Sequence, residues 1–137
     1  MTTLDIQTIR YINLLDTTTR VKTRRCFNYN NAIVFAVPRA LMAQAIGPGA
    51  THIHSIQDKL GKKVRVIAEA RGVEDAVRFF GDVVAPVTFN SLEIKEGMFI
   101  LNAGMQSKAA LIGRNRRREE ELRHISKDTF GMDLKVI

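Results

Sequence analysis

Tryptophan is absent from this chain of 137 residues, and cysteine occurs only once, at Cys26. A lone cysteine cannot form an intramolecular disulfide, so we expect a cytoplasmic protein in which Cys26 is a small apolar residue of the core. No run approaches the roughly 18 consecutive apolar residues of a membrane-spanning helix. Residues 1–5 also lack the basic and apolar blocks of a secretory leader. The sequence therefore predicts no membrane partner.

The residue patterns of enzymes and metal sites are missing as well. His52 and His54 are two residues apart, so on a helix they point to different sides, and no third metal ligand lies nearby. Gly47-Pro48-Gly49 follows a predicted helix, and His52 stands where a dinucleotide fingerprint needs its third glycine. No catalytic carboxylate pair or Cys–His–Asp arrangement is evident. We predict no enzyme, no metal, no cofactor and no small-molecule substrate.

Acidic residues are outnumbered by basic ones. The chain has 21 Lys and Arg against 14 Asp and Glu, which gives a net charge of +7 and a pI near 10.0. Such a surplus favours a polyanionic partner, above all nucleic acid. Residues 1–70 carry ten basic and four acidic residues, or +6, whereas residues 71–137 carry eleven and ten, or +1. We expect the first half to dominate long-range attraction.

Two basic clusters in the first half are candidate auxiliary sites. The denser one suits either a phosphate patch or a protein-docking site, and it comprises Arg20, Lys22, Arg24 and Arg25. Lys62 and Lys63 flank a predicted strand, where they either follow a nucleic-acid backbone or form a solvated strand face.

Hydrophobic periodicity predicts the same order of elements, α-β-β-α-α-β, in both halves. Asn30-Asn31 suits a two-residue hairpin turn, and Gly61 and Gly131 suit helix ends. In the first half the predicted elements are a helix at 4–16, strands at 24–29 and 32–37, helices at 39–46 and 50–60, and a strand at 63–68. In the second half they are a helix at 73–83, strands at 87–94 and 98–103, helices at 105–112 and 116–130, and a strand at 133–137.

A short pattern that occurs twice is the strongest signal in the sequence. It runs from Ile46 to Ile56 and again from Ile112 to Leu122, and each copy opens with Ile-Gly between two predicted helices. Repetition in register indicates that one supersecondary unit is used twice. A glycine loop that opens a helix is also where backbone amides and the helix dipole can meet a phosphate.

These elements and motifs resemble the type II K-homology domain, whose signature is I-G-x-x-G-x-x-I-x-x-I. The first half matches at Ile46, Gly47, Ile53 and Ile56, with Ala50 at the second glycine. The second half matches at Ile112, Gly113 and Leu122, with Arg116 at the second glycine and Glu119 at the next isoleucine. A tandem of this length is similar to the archaeal NusA-like transcription factors.

The resemblance covers nearly the whole chain and implies its fold and partners. The implied fold is α+β, with two tandem type II domains at 1–70 and 71–137, each a three-stranded sheet covered by three helices. K-homology loops clamp about four nucleotides of single-stranded RNA by their backbone. The residues implied to contact RNA are Gly47, Pro48, Gly49 and Ala50 in the first loop, and Gly113, Arg114, Asn115 and Arg116 in the second.

Both loops depart from the family pattern at their last residue. Ala50 is a mild change if its φ is negative, as at a helix start. Arg116 either obstructs close approach or replaces an amide contact with a charged one to phosphate. Along the following helix we expect exposed ion pairs between residues four apart, Arg116 with Glu120 and Arg117 with Glu121.

Two functions from different classes fit these features. The first is an RNA-binding, NusA-like factor in transcription termination or antitermination, with RNA polymerase as a further partner implied by the resemblance. The second is a protein-interaction scaffold that docks on RNA polymerase or a ribosomal partner, with loops that no longer bind RNA. Binding to short single-stranded RNA distinguishes them.

Overall fold

The computed structural model describes residues 5–137, which divide into two compact units, 5–69 and 70–137. Each unit has the element order α-β-β-α-α-β and one three-stranded sheet. The predicted α+β class is therefore confirmed for the described part of the chain. The start of the first predicted helix, at residue 4, lies outside the described residues.

The first unit follows the predicted order closely. Its elements are α1 (Ile6–Thr19), β1 (Arg25–Tyr29), β2 (Ala32–Val37), α2 (Met42–Ile46), α3 (Thr51–Leu60) and β3 (Lys63–Ala68). Short 3-10 turns precede α2 at Arg39–Leu41 and α3 at Pro48–Ala50. The helix predicted at 39–46 is therefore a 3-10 turn followed by a short α-helix.

Helix α1 extends three residues beyond its predicted end. The Asp5 carboxylate accepts a hydrogen bond from the Thr8 amide at 2.7 Å and caps its start. Thr19 is buried, and its Oγ1 donates to the Leu15 carbonyl at 2.8 Å. This bond and burial outweigh the β-branching that predicted an end at residue 16. The helix ends at Arg20, whose φ is +64°.

Strand β2 is the centre of the first sheet, antiparallel to β1 and parallel to β3. The predicted hairpin turn is confirmed, because Asn30 and Asn31 have φ of +51° and +64°. Phe35 lies on the helix-covered face, opposite Cys26 on β1. Burial raises the pKa of the Cys26 thiol to about 12, so Cys26 packs as a neutral side chain, as predicted.

The second unit repeats this architecture. Its elements are α4 (Ala76–Val84), β4 (Ser91–Lys95), β5 (Met98–Asn102), α5 (Met105–Ile112), α6 (Arg117–Phe130) and β6 (Asp133–Val136). Strand β5 is central, antiparallel to β4 and parallel to β6. Short 3-10 turns at Val73–Asp75 and Arg114–Arg116 precede α4 and α6.

The prediction of a strand from residue 87 is wrong at its start. The Val87 amide donates to the Val84 carbonyl at 3.0 Å, which turns the chain directly after α4. The ladder to β5 begins only where the Asn90 amide reaches the Asn102 carbonyl at 2.7 Å. The first residues of the predicted strand therefore form a local turn, and the strand itself begins later, at Ser91.

Four phenylalanines form the centre of the second core. Phe79 and Phe80 on α4, Phe99 on β5 and Phe130 on α6 have ring centroids 5.3–5.7 Å apart. Most of these pairs are edge-to-face, the arrangement that aromatic quadrupoles favour. The cluster ties α4 and the C-terminal end of α6 to the sheet.

An ion pair joins α6 to β6. The Arg123 guanidinium donates from Nε and Nη2 to the two Asp133 carboxylate oxygens at 2.9 and 3.1 Å. The Leu134 amide also donates to Asp133 Oδ1 at 2.8 Å. The hydrogen bond from Arg123, assisted by the one from Leu134, lowers the pKa of Asp133 to about 2.

We expect Asp133→Asn to destabilise the protein by about 0.5–1 kcal/mol near neutral pH, the range of a well-formed surface pair. A carboxyl whose folded pKa is depressed stabilises the fold above its unfolded pKa, roughly 3.9. That contribution is lost as pH falls through the folded value of about 2. Urea unfolding at several pH values should therefore show the penalty shrinking in acid. Glu93→Gln is the matched control, because its exposed pair with Lys95 is long at 3.9 Å. A penalty that persists undiminished at about pH 2 contradicts this account.

Candidate nucleic-acid interface

The two loops predicted to contact RNA have the same backbone conformation. Gly47 and Gly113 have φ/ψ of +80°/163° and +75°/171°. The third residue of each loop is left-handed, with Gly49 at +59°/27° and Asn115 at +56°/30°. The first loop opens α3 and the second opens α6, and neither helix start has a side-chain cap. Each helix therefore presents its first amides without a side-chain acceptor of its own.

The first glycine of each loop is required by space as well as by its positive φ. A Cβ at Gly47 would lie 2.7 Å from His52 Cγ and 2.9 Å from the His52 amide nitrogen. A Cβ at Gly113 would lie 2.6 Å from Arg118 Cγ and 3.0 Å from the Arg118 amide nitrogen. The loop backbone thus rests against the first turn of the following helix, at the residue five positions later in both copies.

The last residue of each loop differs from expectation. Ala50 has φ of +60°, so the condition of a negative φ that would make alanine a mild change is not met. Arg116 has the same conformation, with φ of +58°. A left-handed conformation costs a residue with a Cβ roughly 1–2 kcal/mol. Both loops therefore end in a residue with a Cβ that adopts a backbone conformation typical of glycine.

We expect Ala50→Gly to raise the free energy of unfolding by about 0.5 kcal/mol. Relief of the left-handed strain, about 1–2 kcal/mol, exceeds the entropy that glycine adds to the unfolded chain, about 0.5–1 kcal/mol. Ala43→Gly is the matched control, because Ala43 is an exposed residue of α2 with no positive φ. The control should lower stability by about 0.5–1 kcal/mol. Chemical denaturation of both variants measures the two signs, and equal losses would refute the strain at Ala50.

A cleft of about 620 Å³ opens beside the first loop. It is lined by Ala43, Gln44, Ile46, Gly47, Pro48 and His52. The Gln44 side chain forms part of the wall and is held in place, because its Nε2 donates to the Thr19 carbonyl at 2.9 Å. Its own backbone carbonyl accepts from His52 Nδ1 at 2.8 Å. The cleft is mostly apolar, with a helix start at its rim, which suits a nucleotide whose base is buried and whose phosphate is not.

The second loop holds its arginines differently. Arg116 Nη1 donates to Glu119 Oε1 at 2.6 Å, and Glu119 is buried. The other Glu119 oxygen accepts from the Val136 amide on β6 at 2.9 Å. Arg118 pairs with Glu121 at 2.9 Å. The predicted pairs of Arg116 with Glu120 and Arg117 with Glu121 are therefore wrong. The helix pairs residues three apart, because the buried Glu119 carboxylate is the acceptor nearest the loop.

We expect Glu119→Gln to lower the free energy of unfolding by about 1–3 kcal/mol, because it removes a buried charge-assisted acceptor from Arg116 and Val136. Glu120→Gln is the control, since Glu120 is the exposed neighbour on the same helix turn. It should change stability by less than about 0.5 kcal/mol. Thermal or urea unfolding measures both variants. An unchanged free energy of unfolding in Glu119→Gln would mean that Glu119 does not hold β6.

The two auxiliary clusters lie at opposite ends of the first sheet. Arg25 pairs with Ala36 near the end of β2, whereas Lys63 pairs with Ala32 at its beginning. The intervening residues span about 13 Å. Lys62 and Lys63 are exposed beyond the far end of α3, about 15 Å along the helix from the loop. The structure does not bring them to the first loop.

The other cluster is nearer the cleft. Arg20 directly follows Thr19, whose carbonyl holds the cleft residue Gln44. Arg20, Lys22 and Arg24 are exposed, and Arg25 is half-buried. Its position beside α2 makes this cluster the better placed of the two to extend a path for phosphates from the first loop.

Three site residues escaped sequence reasoning. In the sequence His52 has no metal-binding partner, Gln44 belongs to no motif, and Glu119 stands where the signature has an isoleucine. One signal was available, because a bulky side chain stands five residues after the first glycine in both copies, His52 and Arg118. In residues 5–137 no three His, Cys, Asp or Glu side chains gather in a way that could hold a metal ion.

The fold and the loops define a class of protein: two α-β-β-α-α-β units, each with a glycine loop that opens its third helix. No family model matches the chain. A relative from Halococcus morrhuae, "Probable transcription termination protein NusA", is 25% identical over 134 residues, 96% of this chain and 94% of the relative. This distant homologue confirms the predicted resemblance to NusA-like proteins.

A solved structure titled "Crystal structure of APE1850" has a similar fold. It matches 98% of this chain and 99% of its own chain with a TM-score of 0.67 and 24% sequence identity. Among residues 5–137, none of the helices is both long and apolar enough to cross a membrane.

Proposed function

We propose that the chain is a non-enzymatic RNA-binding protein of two type II K-homology domains, at residues 1–70 and 71–137. The observation that carries the proposal is the shared conformation of the two loops, each at the start of a helix without a side-chain cap. Such a helix start attracts a phosphate through its amides and its dipole. The net charge of +7 favours the same class of ligand.

The first loop is the principal RNA site in this proposal. It borders the apolar cleft, and Pro48 and Gly49 are exposed at its tip. Gly49 has no atom near the position of a Cβ, so a sugar-phosphate chain can approach it closely. The second loop already pairs Arg116 and Arg118 with internal carboxylates. Arg114 and Asn115, exposed at its tip, provide its remaining contacts and make it the weaker site.

The homologue's name, transcription termination protein, suggests the process in which the RNA is bound. In that setting the ligand is nascent single-stranded RNA, and RNA polymerase is the protein partner. Two modest sites on one chain would raise the affinity for a continuous strand through effective concentration.

Gly49→Asp tests the first loop, since it places a negative charge where the phosphate is expected. Asn is the matched control, because Asn115 has the same conformation in the second loop and tolerates a left-handed φ. We expect Gly49→Asp to weaken binding of a labelled single-stranded RNA at least about tenfold, while Gly49→Asn binds within about threefold of wild type. Fluorescence anisotropy across a salt series measures both, with a wild-type slope of about −0.7 per phosphate contact.

Three outcomes separate the possibilities. Equal binding by Gly49→Asp and wild type would move the RNA site away from the first loop. Equal weakening by Asp and Asn would point to loop distortion and would contradict the charge argument. No binding of any single strand by the wild type would overturn the proposal in favour of a protein-docking scaffold.

A further inference from the structure

His52 is held in one orientation between the two helices that flank the first loop. It lies in the first turn of α3, with its ring against Gly47. Its Nδ1 is 2.8 Å from the carbonyl oxygen of Gln44, in the last turn of α2. Helix carbonyls at this position lack a partner within their own helix. The ring therefore joins the end of α2 to the start of α3 across the loop.

This hydrogen bond fixes the tautomer of the neutral ring. A carbonyl oxygen can only accept, so the proton must be on Nδ1, and Nε2 is left as a hydrogen-bond acceptor. Among the described residues the His52 side chain has no hydrogen bond other than the one from Nδ1. A phosphate oxygen is also an acceptor, so neutral His52 cannot bind phosphate through Nε2. Its partner must bring an N–H or O–H group.

The cleft around His52 suits a nucleotide as the source of such a group. Of the side chains in residues 5–137 that line the cleft beside the first loop, His52 is the one that is ionisable. Ala43, Ile46 and Pro48 supply apolar walls. The side-chain nitrogen of Gln44 is already bonded to the Thr19 carbonyl. A fixed acceptor in an apolar cleft favours a ligand that brings a donor, because a ligand that covers the acceptor without one displaces its water and leaves it unpaired.

We propose that His52 is a specificity residue of the first loop, whose Nε2 accepts a hydrogen bond from a nucleotide donor, either a base amino or imino group or the ribose 2′-hydroxyl. The inference rests on the proposed RNA-binding function and adds a selectivity to it. The second loop lacks this feature, since Arg118 at the matching position has only donors and pairs with Glu121. The two loops then select nucleotides by different chemistry.

His52→Asn is the informative variant. The asparagine amide nitrogen can take the place of Nδ1 and keep the bond to Gln44, but nothing replaces Nε2. His54→Asn is the matched control, because His54 is exposed two residues further along α3. Binding is measured by anisotropy in mildly alkaline buffer with cytidine and uridine oligomers, each as RNA and as DNA. Thermal unfolding of each variant shows that the fold is retained.

We expect His52→Asn to bind its preferred RNA about three- to tenfold more weakly, the loss of one hydrogen bond. If a base amino or imino group is the donor, the wild type prefers cytidine or uridine respectively, and the variant loses that preference in both RNA and DNA. If the 2′-hydroxyl is the donor, the variant loses the preference for RNA over DNA. Either change in selectivity supports the inference, and His54→Asn should leave both ratios unchanged.

The failures are distinguishable. An equal loss of affinity for all four oligomers would show that His52 only supports the loop, and would overturn the inference. Wild-type binding by His52→Asn, with binding lost in Gly49→Asp, would also overturn it and leave the proposed function intact. Absence of binding by the wild type would overturn both.

Discussion

The close approach of each loop to the helix that follows it is the constraint on which both candidate sites depend. Gly47 lies against His52, and Gly113 lies against Arg118, at distances that leave no room for a side chain. This contact turns the chain sharply enough that the next helix begins with its amides at the loop. The sheets and the buried cores hold the two helices in place, and the glycine permits the close approach of the loop to the second of them.

Elements whose cause is local could be predicted from the sequence. The Asn30-Asn31 turn, the helix end at Gly61 and most strand positions follow from residue type and spacing. Features decided by burial, or by a choice between competing hydrogen bonds, could not be predicted. The extension of α1 needs a bond from Thr19 to Leu15 inside a buried setting, and the missing start of the strand predicted at residue 87 needs a turn closed by Val84.

Within the candidate site, too, some features could be predicted from the sequence and others could not. The loop residues could be located from Ile-Gly and the helices around it, but the positive φ of Ala50 could not, because alanine alone favours a negative value. The role of Glu119 depends on Val136, 17 residues away in the chain. Sequence spacing located the loop backbone and missed the side-chain contacts around it.

The left-handed residues at the ends of the two loops bear on how such sites should be searched for. Ala50 and Arg116 adopt the conformation that a glycine would adopt, at a cost that the surrounding packing absorbs. Only the first glycine of each loop is sterically irreplaceable. Motif patterns that demand both glycines will therefore overlook loops of this shape, whereas a pattern built on one glycine, a bulky residue five positions later and a helix on either side would retain them.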